Sequence, residues 1–488
     1  MAPVTPVAGM TIDGFRLKHK LHQGGMATIW QVTHPDFELP LVMKVPRIHP
    51  DDDPTGIVGF EVEQMILPRL NGSHVPRCVA EGDFAHQPYI VMEYLGDNAL
   101  STHLHALPLS IDEVADMGRR IADGLHCLHQ QHVIHLDIKP SNILLRDNSD
   151  VVFVDFGLAR HDHLPDLLAE EFNLPLGTGP YISPEQVLRV RNDPRSDLFA
   201  LGVILYYLTT GQQPFGFPTT IPGLKRRLYR DPIPPVILNP QCPPWLQEII
   251  LRCLAIDPAQ RWATAAELAL MLANPAQVPL SLLAEKRQSD SLGIVAKRWF
   301  RSLGAEASAG QSAENQVEHA PILMVAVDLS PGMIELADRL RHTTRRILEI
   351  EPGARLACVT VVKSHRLSLD LNEDEHGQNL HVQRLIELKH WAHPLELGVN
   401  RITFHVLSHP DPAAALIDYA RQSHVDHIVM GARGGRGAML CHCCKNPDAG
   451  TPSVIGQHPA AGVSLIQDWH DRLSARTEPR ASPGCQTN

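Results

Sequence analysis

Residues 132–157 read His-Val-Ile-His-Leu-Asp-Ile-Lys-Pro-Ser-Asn-Ile-Leu-Leu-Arg-Asp-Asn-Ser-Asp-Val-Val-Phe-Val-Asp-Phe-Gly. Asp137, Lys139 and Asn142 stand at fixed spacing within this stretch, and Asp155 closes the apolar run Val151–Val154. That run is too short for a helix and has the β-branched make-up of a buried strand. Such a strand holds a carboxylate rigidly at its tip. An acid, a lysine, an amide and a second acid converging on one point suit phosphoryl transfer. That reaction needs a group to orient the attacking hydroxyl, oxygen ligands for hard magnesium ions, and positive charge beside the moving phosphate. The bland alternative is a hydrophobic hairpin with polar caps.

The stretch resembles the catalytic loop and the metal-binding loop of the protein kinases. The resemblance implies Asp137 as catalytic base, Lys139 beside the γ-phosphate, Asn142 and Asp155 as metal ligands, and ATP and Mg2+ as cofactors. A lysine two residues after the aspartate is the Ser/Thr form of the family. Upstream, residues 12–45 alternate apolar and polar, with Gly24-Gly25 between two strand-like pieces. This is a hairpin whose tip offers backbone N–H groups to phosphates. It resembles the kinase glycine-rich loop incompletely: His22 and Ala27 occupy the first and third glycine positions, Gly24 is kept, and Ile29 follows. In Leu41-Val42-Met43-Lys44, Val42 is assigned to the ATP site and Lys44 to the α- and β-phosphates. A solvated edge lysine is the other reading of Lys44. Glu63 falls where the family places the partner of that lysine, with Glu61 as its rival. Tyr89–Leu95 resembles the hinge between lobes. Met92 would be the gatekeeper there, and the backbone of Glu93 and Leu95 would meet the adenine edge.

Ser110 is an N-cap candidate with Asp112 and Glu113 in the following turn. Behind it Ile111, Val114, Met117, Ile121, Leu125 and Leu128 repeat at helical spacing. Gly177-Thr178-Gly179-Pro180-Tyr181-Ile182-Ser183-Pro184-Glu185 resembles the substrate loop and the end of the activation segment. The resemblance puts Thr178 near Asp137, makes Asp197 the brace beneath the catalytic loop, and pairs Arg261 with Glu185. An exposed arginine is the alternative for Arg261. Many kinases carry an arginine before the catalytic aspartate that binds a phosphate on the activation segment. Here the position is Leu136, and between Gly157 and Ser183 the only hydroxyl residues are Thr178 and Tyr181. Activity is therefore expected without phosphorylation of that segment. Its acids Asp162, Asp166, Glu170 and Glu171 are expected to order it through an unidentified basic residue.

The expected architecture is an α+β two-lobed protein-kinase fold over 12–273, with lobes at about 12–95 and 96–273. A linker over 274–319 follows. It contains the basic, aromatic Ile294–Arg301 as a short docking helix, and 304–315 as a small, polar, flexible stretch. Over 320–468, strands at 322–328, 356–362, 402–407 and 427–431 alternate with helices, which implies an α/β doubly wound parallel sheet. Its ligand site should lie at the carboxyl ends of the strands. Val-Ala-Val-Asp-Leu-Ser, Asp-Pro-Ala-Ala-Ala-Leu-Ile-Asp-Tyr-Ala and Val-Asp-His-Ile-Val-Met-Gly-Ala-Arg-Gly resemble the universal stress protein domain. Asp328, Gly431 and Gly434 match part of that family's nucleotide site. Cys444 stands where a further glycine is expected, unless Gly450-Thr451 supplies it after an insertion. A fold of this kind with no bound nucleotide is the equal alternative. Cys441-His442-Cys443-Cys444 could hold a metal or meet oxidants, though its spacing is unlike the usual zinc pairs. An apolar edge at Val463–Ile466 suggests a homodimer through this domain. Residues 469–488 read as a tail.

The chain of 488 residues is 44% hydrophobic and carries a formal net charge of -11. Such a charge argues against a nucleic-acid binder. No run of 18 apolar residues suggests a membrane span, the first residues are unlike a secretory signal, and nine irregularly spaced cysteines fit reduced thiols in a cytoplasm. The function expected is a cytoplasmic, bacterial-type Ser/Thr protein kinase that phosphorylates proteins, coupled to a stress- or nucleotide-sensing domain. The rival is a pseudokinase scaffold or sensor, motivated by His22 and Ala27.

Overall fold

The computed structural model describes residues 6–431 and 453–457, except 25, 48–53, 83, 85–86, 147–149, 173, 310–320, 331–332, 352, 364–379, 398–400 and 424. Strands β1 (Thr11–Ile12), β2 (Phe15–Gln23), β3 (Ala27–His34), β4 (Phe37–Pro46), β5 (Cys78–Gly82) and β6 (Tyr89–Glu93) form one antiparallel sheet in the order β1-β2-β3-β4-β6-β5. Side chains alternate faces along a strand. Leu41, Met43 and Val45 therefore join Trp30 and Val91 in one cluster, while Val42 and Met92 turn to the other face. That second face meets helix α1 (Pro54–Ile66), through Ile57, Val58 and Phe60. The helix starts at Pro54, a residue suited to a first turn, and gives way to a 3-10 turn at Leu67–Arg69, where Pro68 supplies no N–H.

The second lobe contains α2 (Ile111–Gln130), β7 (Val133–Ile134), β8 (Ile143–Leu145), β9 (Val151–Phe153), β10 (Arg160–His161), α3 (Leu167–Glu171), α4 (Pro184–Val187), α5 (Arg195–Thr210), α6 (Ile221–Lys225), α7 (Pro235–Leu238), α8 (Pro244–Cys253) and α9 (Ala265–Ala273). Helix α2 opens with a reciprocal cap. Glu113 N–H donates to Ser110 Oγ at 3.4 Å and Ser110 N–H donates to Glu113 Oε2 at 2.9 Å. Its stripe Val114, Ile121, Leu125 and Leu128 is buried against α5 and α9. Helix α5 is apolar on all sides and buried along nearly its whole length. It stops at Gly211, whose φ of 72° suits glycine.

Helix α10 (Leu292–Ala309) is longer than the docking helix expected at 294–301, and runs into the stretch expected to be flexible. Arg298 ties it to the second lobe through Asp231 at 3.0 Å, and also meets Asp290, just ahead of the helix, at 2.7 Å.

Beyond it lie β11 (Ile322–Ala326), α11 (Ile334–Ile350), β12 (Arg355–Lys363), α12 (Leu380–Ala392), β13 (Ile402–His409), α13 (Pro412–Gln422), β14 (His427–Gly431) and β15 (Ser453–Gln457). The strands are parallel in the order β13-β12-β11-β14-β15. Leu323 and Val325 pack with Leu340 and Trp391 on one face, and Met324 packs with Tyr419 and Ala420 on the other. Helices on both faces make this the doubly wound sheet that alternating strands and helices imply. β15 takes the place beside β14. The apolar edge expected at Val463–Ile466 lies outside the described residues.

Candidate active site

Asp137 is buried, and hydrogen bonds to both oxygens of its carboxylate hold it in place. Oδ1 accepts Thr178 Oγ1–H at 2.6 Å and Thr178 N–H at 3.2 Å. Oδ2 accepts Lys139 Nζ at 2.7 Å and Asn142 Nδ2 at 3.1 Å. Lys139 also donates to Thr178 Oγ1 at 3.0 Å. Below this cluster Asp197, fully buried, accepts the backbone N–H of His135 at 2.9 Å and of Leu136 at 2.8 Å. Leu136 has φ of 61°. A leucine in this region costs roughly 1–2 kcal/mol. Asp197 from below and Gln186 Nε2, which donates to the Leu136 carbonyl at 2.8 Å, hold it there.

Lys44 bridges two acids. Its Nζ lies 2.5 Å from Glu63 Oε2 and 2.8 Å from Asp155 Oδ1. Burial alone would lower the lysine, but Asp155 and Glu63 outweigh it and hold the ammonium above its ordinary value. Burial pushes the Glu63 carboxyl up against the pull of Lys44. Lys44 is the chief cause that holds Asp155 down at about 2. Helix α1 reaches this bridge because of a glycine contact. A Cβ on Gly59 would come within 3.1 Å of the Gly157 carbonyl oxygen, and one on Gly157 within 3.2 Å of that of Gly59. The helix thus lies directly on the loop that follows Asp155.

In the β2–β3 hairpin, Gly24 N–H donates to the Ala27 carbonyl at 2.9 Å, and Arg47 donates to the Gly24 carbonyl at 3.1 Å. His22 pairs with Ile29, and Ala27 with Pro46. Gly25 lies outside the described residues. Val42 and Met92 are buried beneath the sheet, and Leu95 is half-buried just after β6. Glu93 is pinned to the second lobe: Arg146 grips its two oxygens at 2.6 and 2.9 Å. Its pKa is lowered, first by that bond.

Further out, Arg261 is fully buried and grips Glu185 at 2.6 and 2.7 Å. It is therefore no exposed arginine. Sequence reasoning missed Arg227. This buried guanidinium donates to the Gly179 carbonyl at 2.7 Å and to that of Ile182, bracing the loop after Thr178. Burial lowers it to about 10. It also missed Arg191, which grips Asp166 at 2.9 and 3.2 Å and donates to the Leu158 carbonyl at 2.9 Å. Neither arginine has a local signal, because their partners lie 45–48 and 25–33 positions away.

In the C-terminal sheet, Asp328 Oδ1 accepts Ser330 N–H at 3.0 Å. A Cβ on Gly431 would meet Leu336 at 2.7 Å, so close helix packing is by itself a reason for that glycine. Gly434 and the Cys441–Cys444 cluster lie outside the described residues. Among the described residues there is no cluster of potential metal ligands of the His/Cys/Asp/Glu kind, and no helix is long and apolar enough to cross a membrane.

Residues 15–271 match the family model of the protein kinase domain, and residues 319–440 that of the universal stress protein family. Serine/threonine-protein kinase Pkn1 of Myxococcus xanthus is 31% identical over 298 residues, which are 59% of this chain and 42% of that protein. The probable serine/threonine-protein kinase PknB of Lactococcus lactis is 29% identical over 259 residues, 52% of this chain and 41% of that one. The chain thus spans about two fifths of the length of these relatives. The crystal structure of the Mycobacterium tuberculosis PknI kinase domain is 23% identical, with a TM-score of 0.45, over 56% of this chain and 100% of that domain. With a kinase match over more than half its length and a second match behind it, the chain belongs to the protein kinase family and carries a universal stress protein domain after its kinase domain.

Proposed function

We propose that the chain transfers the γ-phosphate of ATP to serine or threonine hydroxyls of other proteins. One observation carries this reading: a carboxylate, Asp137, is held by Thr178, Lys139 and Asn142, while Lys44 is locked between Glu63 and Asp155. Asp137 accepts the substrate hydroxyl's proton late in transfer. Lys139 supplies positive charge beside the oxygen that moves, and Lys44 holds the donor's inner phosphates. Asp155 and Asn142 present a carboxylate and an amide oxygen, the hard donors that magnesium takes, and half of the Asp155 side chain is open. Magnesium there would neutralise charge on the phosphates. Met92, Val42 and Ile29 form the apolar side of the adenine site, with the backbone of Glu93 and Leu95 at its edge.

The pseudokinase reading rests on His22 and Ala27. Both lie on paired positions of the hairpin strands, and every polar group of the site is present. An ATP-dependent reaction belongs in the cytoplasm, where the nucleotide is. The C-terminal domain's nucleotide site, drawn from Asp328, Gly431 and Gly434, is tested by calorimetry with ATP, and its homodimer by sedimentation. The decisive experiment for the kinase is labelling with radioactive ATP. Wild-type protein should label itself or an added protein. Asp137→Asn and Asp155→Ala should not, although they fold. Equal labelling by these variants would sink the reading.

A further inference from the structure

Helix α3, at the centre of the activation segment, has five residues. A helix so short does not hold by itself in water. Asp166 caps it, with Ala169 N–H donating at 3.2 Å, and Arg191 grips the same carboxylate. Its other end is held from outside the kinase domain. Glu170 lies 3.2 Å from Arg355 Nη2 and 3.1 Å from His405 Nε2. Val406 N–H donates to Glu171 Oε1 at 3.3 Å. Arg355, His405 and Val406 belong to β12 and β13 of the C-terminal sheet.

Among the described residues strand β13 is an edge strand. Edge strands present unpaired N–H groups that attract further partners. Here α3 covers the edge, and one of those N–H groups is taken by a kinase carboxylate. Apolar packing runs through the same place: Val382, Leu385 and Val406 are in one continuous buried cluster with Val58 and Phe60 of α1 and Leu167 and Leu168 of α3. Helix α1 is apolar around most of its circumference, as befits a helix covered on both sides. On its outer side Glu61, 8% exposed, is paired with Lys389 of α12. The Lys389 ammonium lies 4.7 Å from the ring centre of Phe84 and 5.7 Å from that of Phe404, one ring from each domain.

Two of the acids at this seam have cationic partners, Glu61 in Lys389 and Glu170 in Arg355. Burial would raise Glu170, but His405 and Arg355 outweigh it and hold the carboxylate ionised. Burial, and then the nearby Glu61, push the Glu171 carboxyl well above the usual carboxylate range. The seam touches the two elements that a kinase must place correctly, α1 and the activation segment. With it closed, Glu63 is on Lys44 and Thr178 is on Asp137.

We propose that the C-terminal domain is an activating clamp on the kinase domain of its own chain. It holds α1 against the loop of Asp155 and fixes α3, the task that a phosphate on the activation segment performs where an arginine stands at the position of Leu136. This rests on the kinase reading above. Opening the seam lowers activity, so any ligand or partner that loosens the C-terminal domain turns the kinase down.

The test uses the full chain and the ion pair between Glu61 of α1 and Lys389 of α12. Lys389→Glu and Glu61→Lys each place like charges together, and the double variant restores the pair in reverse. Two readouts are taken: the initial rate on an added peptide, and hydrogen exchange of the α1 and α3 amides. Each single variant should lose about tenfold in rate, within the usual range of coupling between sites, and should exchange faster in both helices. The double variant should recover both readouts, which general damage to the fold would not allow. Single variants with wild-type rates and unchanged exchange overturn the clamp. Single variants that run faster than wild type also overturn it, since the domain would then be an inhibitor. If wild-type protein fails to label at all, the kinase reading falls. Exchange alone then decides the docking: faster in the singles and restored in the double supports it, unchanged refutes it.

Discussion

Glu61 and Glu63 stand two positions apart on α1 and serve different domains. Glu63 meets Lys44 at 2.5 Å inside the kinase, and Glu61 meets Lys389 across the seam. Two helical steps turn about 200°, so the side chains leave opposite sides of the helix. The rivalry between them for Lys44 is thereby resolved, and each has a partner of its own.

The two acids should differ in what they do. Glu63→Gln removes the charge that positions Lys44 and should lower labelling on the order of a hundredfold, the scale of a misplaced reacting group. Glu61→Gln weakens only the seam and should cost about tenfold. Initial rates at saturating ATP separate them. Equal losses would mean that α1 moves as one piece whichever acid is changed.

Much of the candidate site's geometry was legible because its parts lie close in sequence. Asp137, Lys139 and Asn142 sit within one loop, and Asp155 follows a run whose β-branched residues announce a buried strand. The bond of Thr178 to Asp137, the brace at Asp197 and the pair Arg261–Glu185 follow from the resemblance, since they span 41 to 76 positions. What could not be read was pairing between domains. Glu170, Arg355 and His405 look like surface charges until β13 is laid against α3. The length of α10 was also misjudged, because small residues that suit a linker, alanine above all, are good helix formers too.

Arg261 tests a buried pair. It is fully buried with Glu185, and removing one partner strands the other charge. Arg261→Ala should destabilise the second lobe by about 3–5 kcal/mol. The double change Arg261→Leu with Glu185→Leu should be less harmful than the single. Unfolding in urea, followed by far-ultraviolet circular dichroism, measures the loss. A loss under about 1 kcal/mol for Arg261→Ala, as for exposed pairs, would refute the buried-pair account.

Asp155 fixes the acid side of the stability profile. Lys44 depresses its carboxyl from an ordinary 3.8 to about 2. A depressed acid contributes stability that is fully present above its unfolded value and is lost as pH falls through its folded value. The melting-temperature gap between wild type and Asp155→Asn should therefore stay constant from neutral pH down to about 5, and close between about 4 and 2. A gap that closes near neutrality would mean that Lys44 does not hold the carboxylate in the folded chain.

Kinase activity should survive complete dephosphorylation. Leu136 cannot pair with a phosphate. Both hydroxyls between Gly157 and Ser183 are engaged: Thr178 donates to Asp137 at 2.6 Å, and Tyr181 accepts from Gln213 at 3.1 Å. The segment has other ties. Asp166 is gripped by Arg191 within the kinase domain, and Glu170 by Arg355 and His405 from the C-terminal domain. These links are charge pairs that need no modification to form. Purified protein is treated with phosphatase, the phosphatase is removed, and initial rates are measured on an added peptide rich in serine and threonine. Rates should equal those of untreated protein with no lag. Arg191→Ala, which unties Asp166, should lower the rate in treated and untreated protein alike, by about tenfold. Activity that is lost on treatment and returns slowly with ATP would show that a phosphate orders the segment after all.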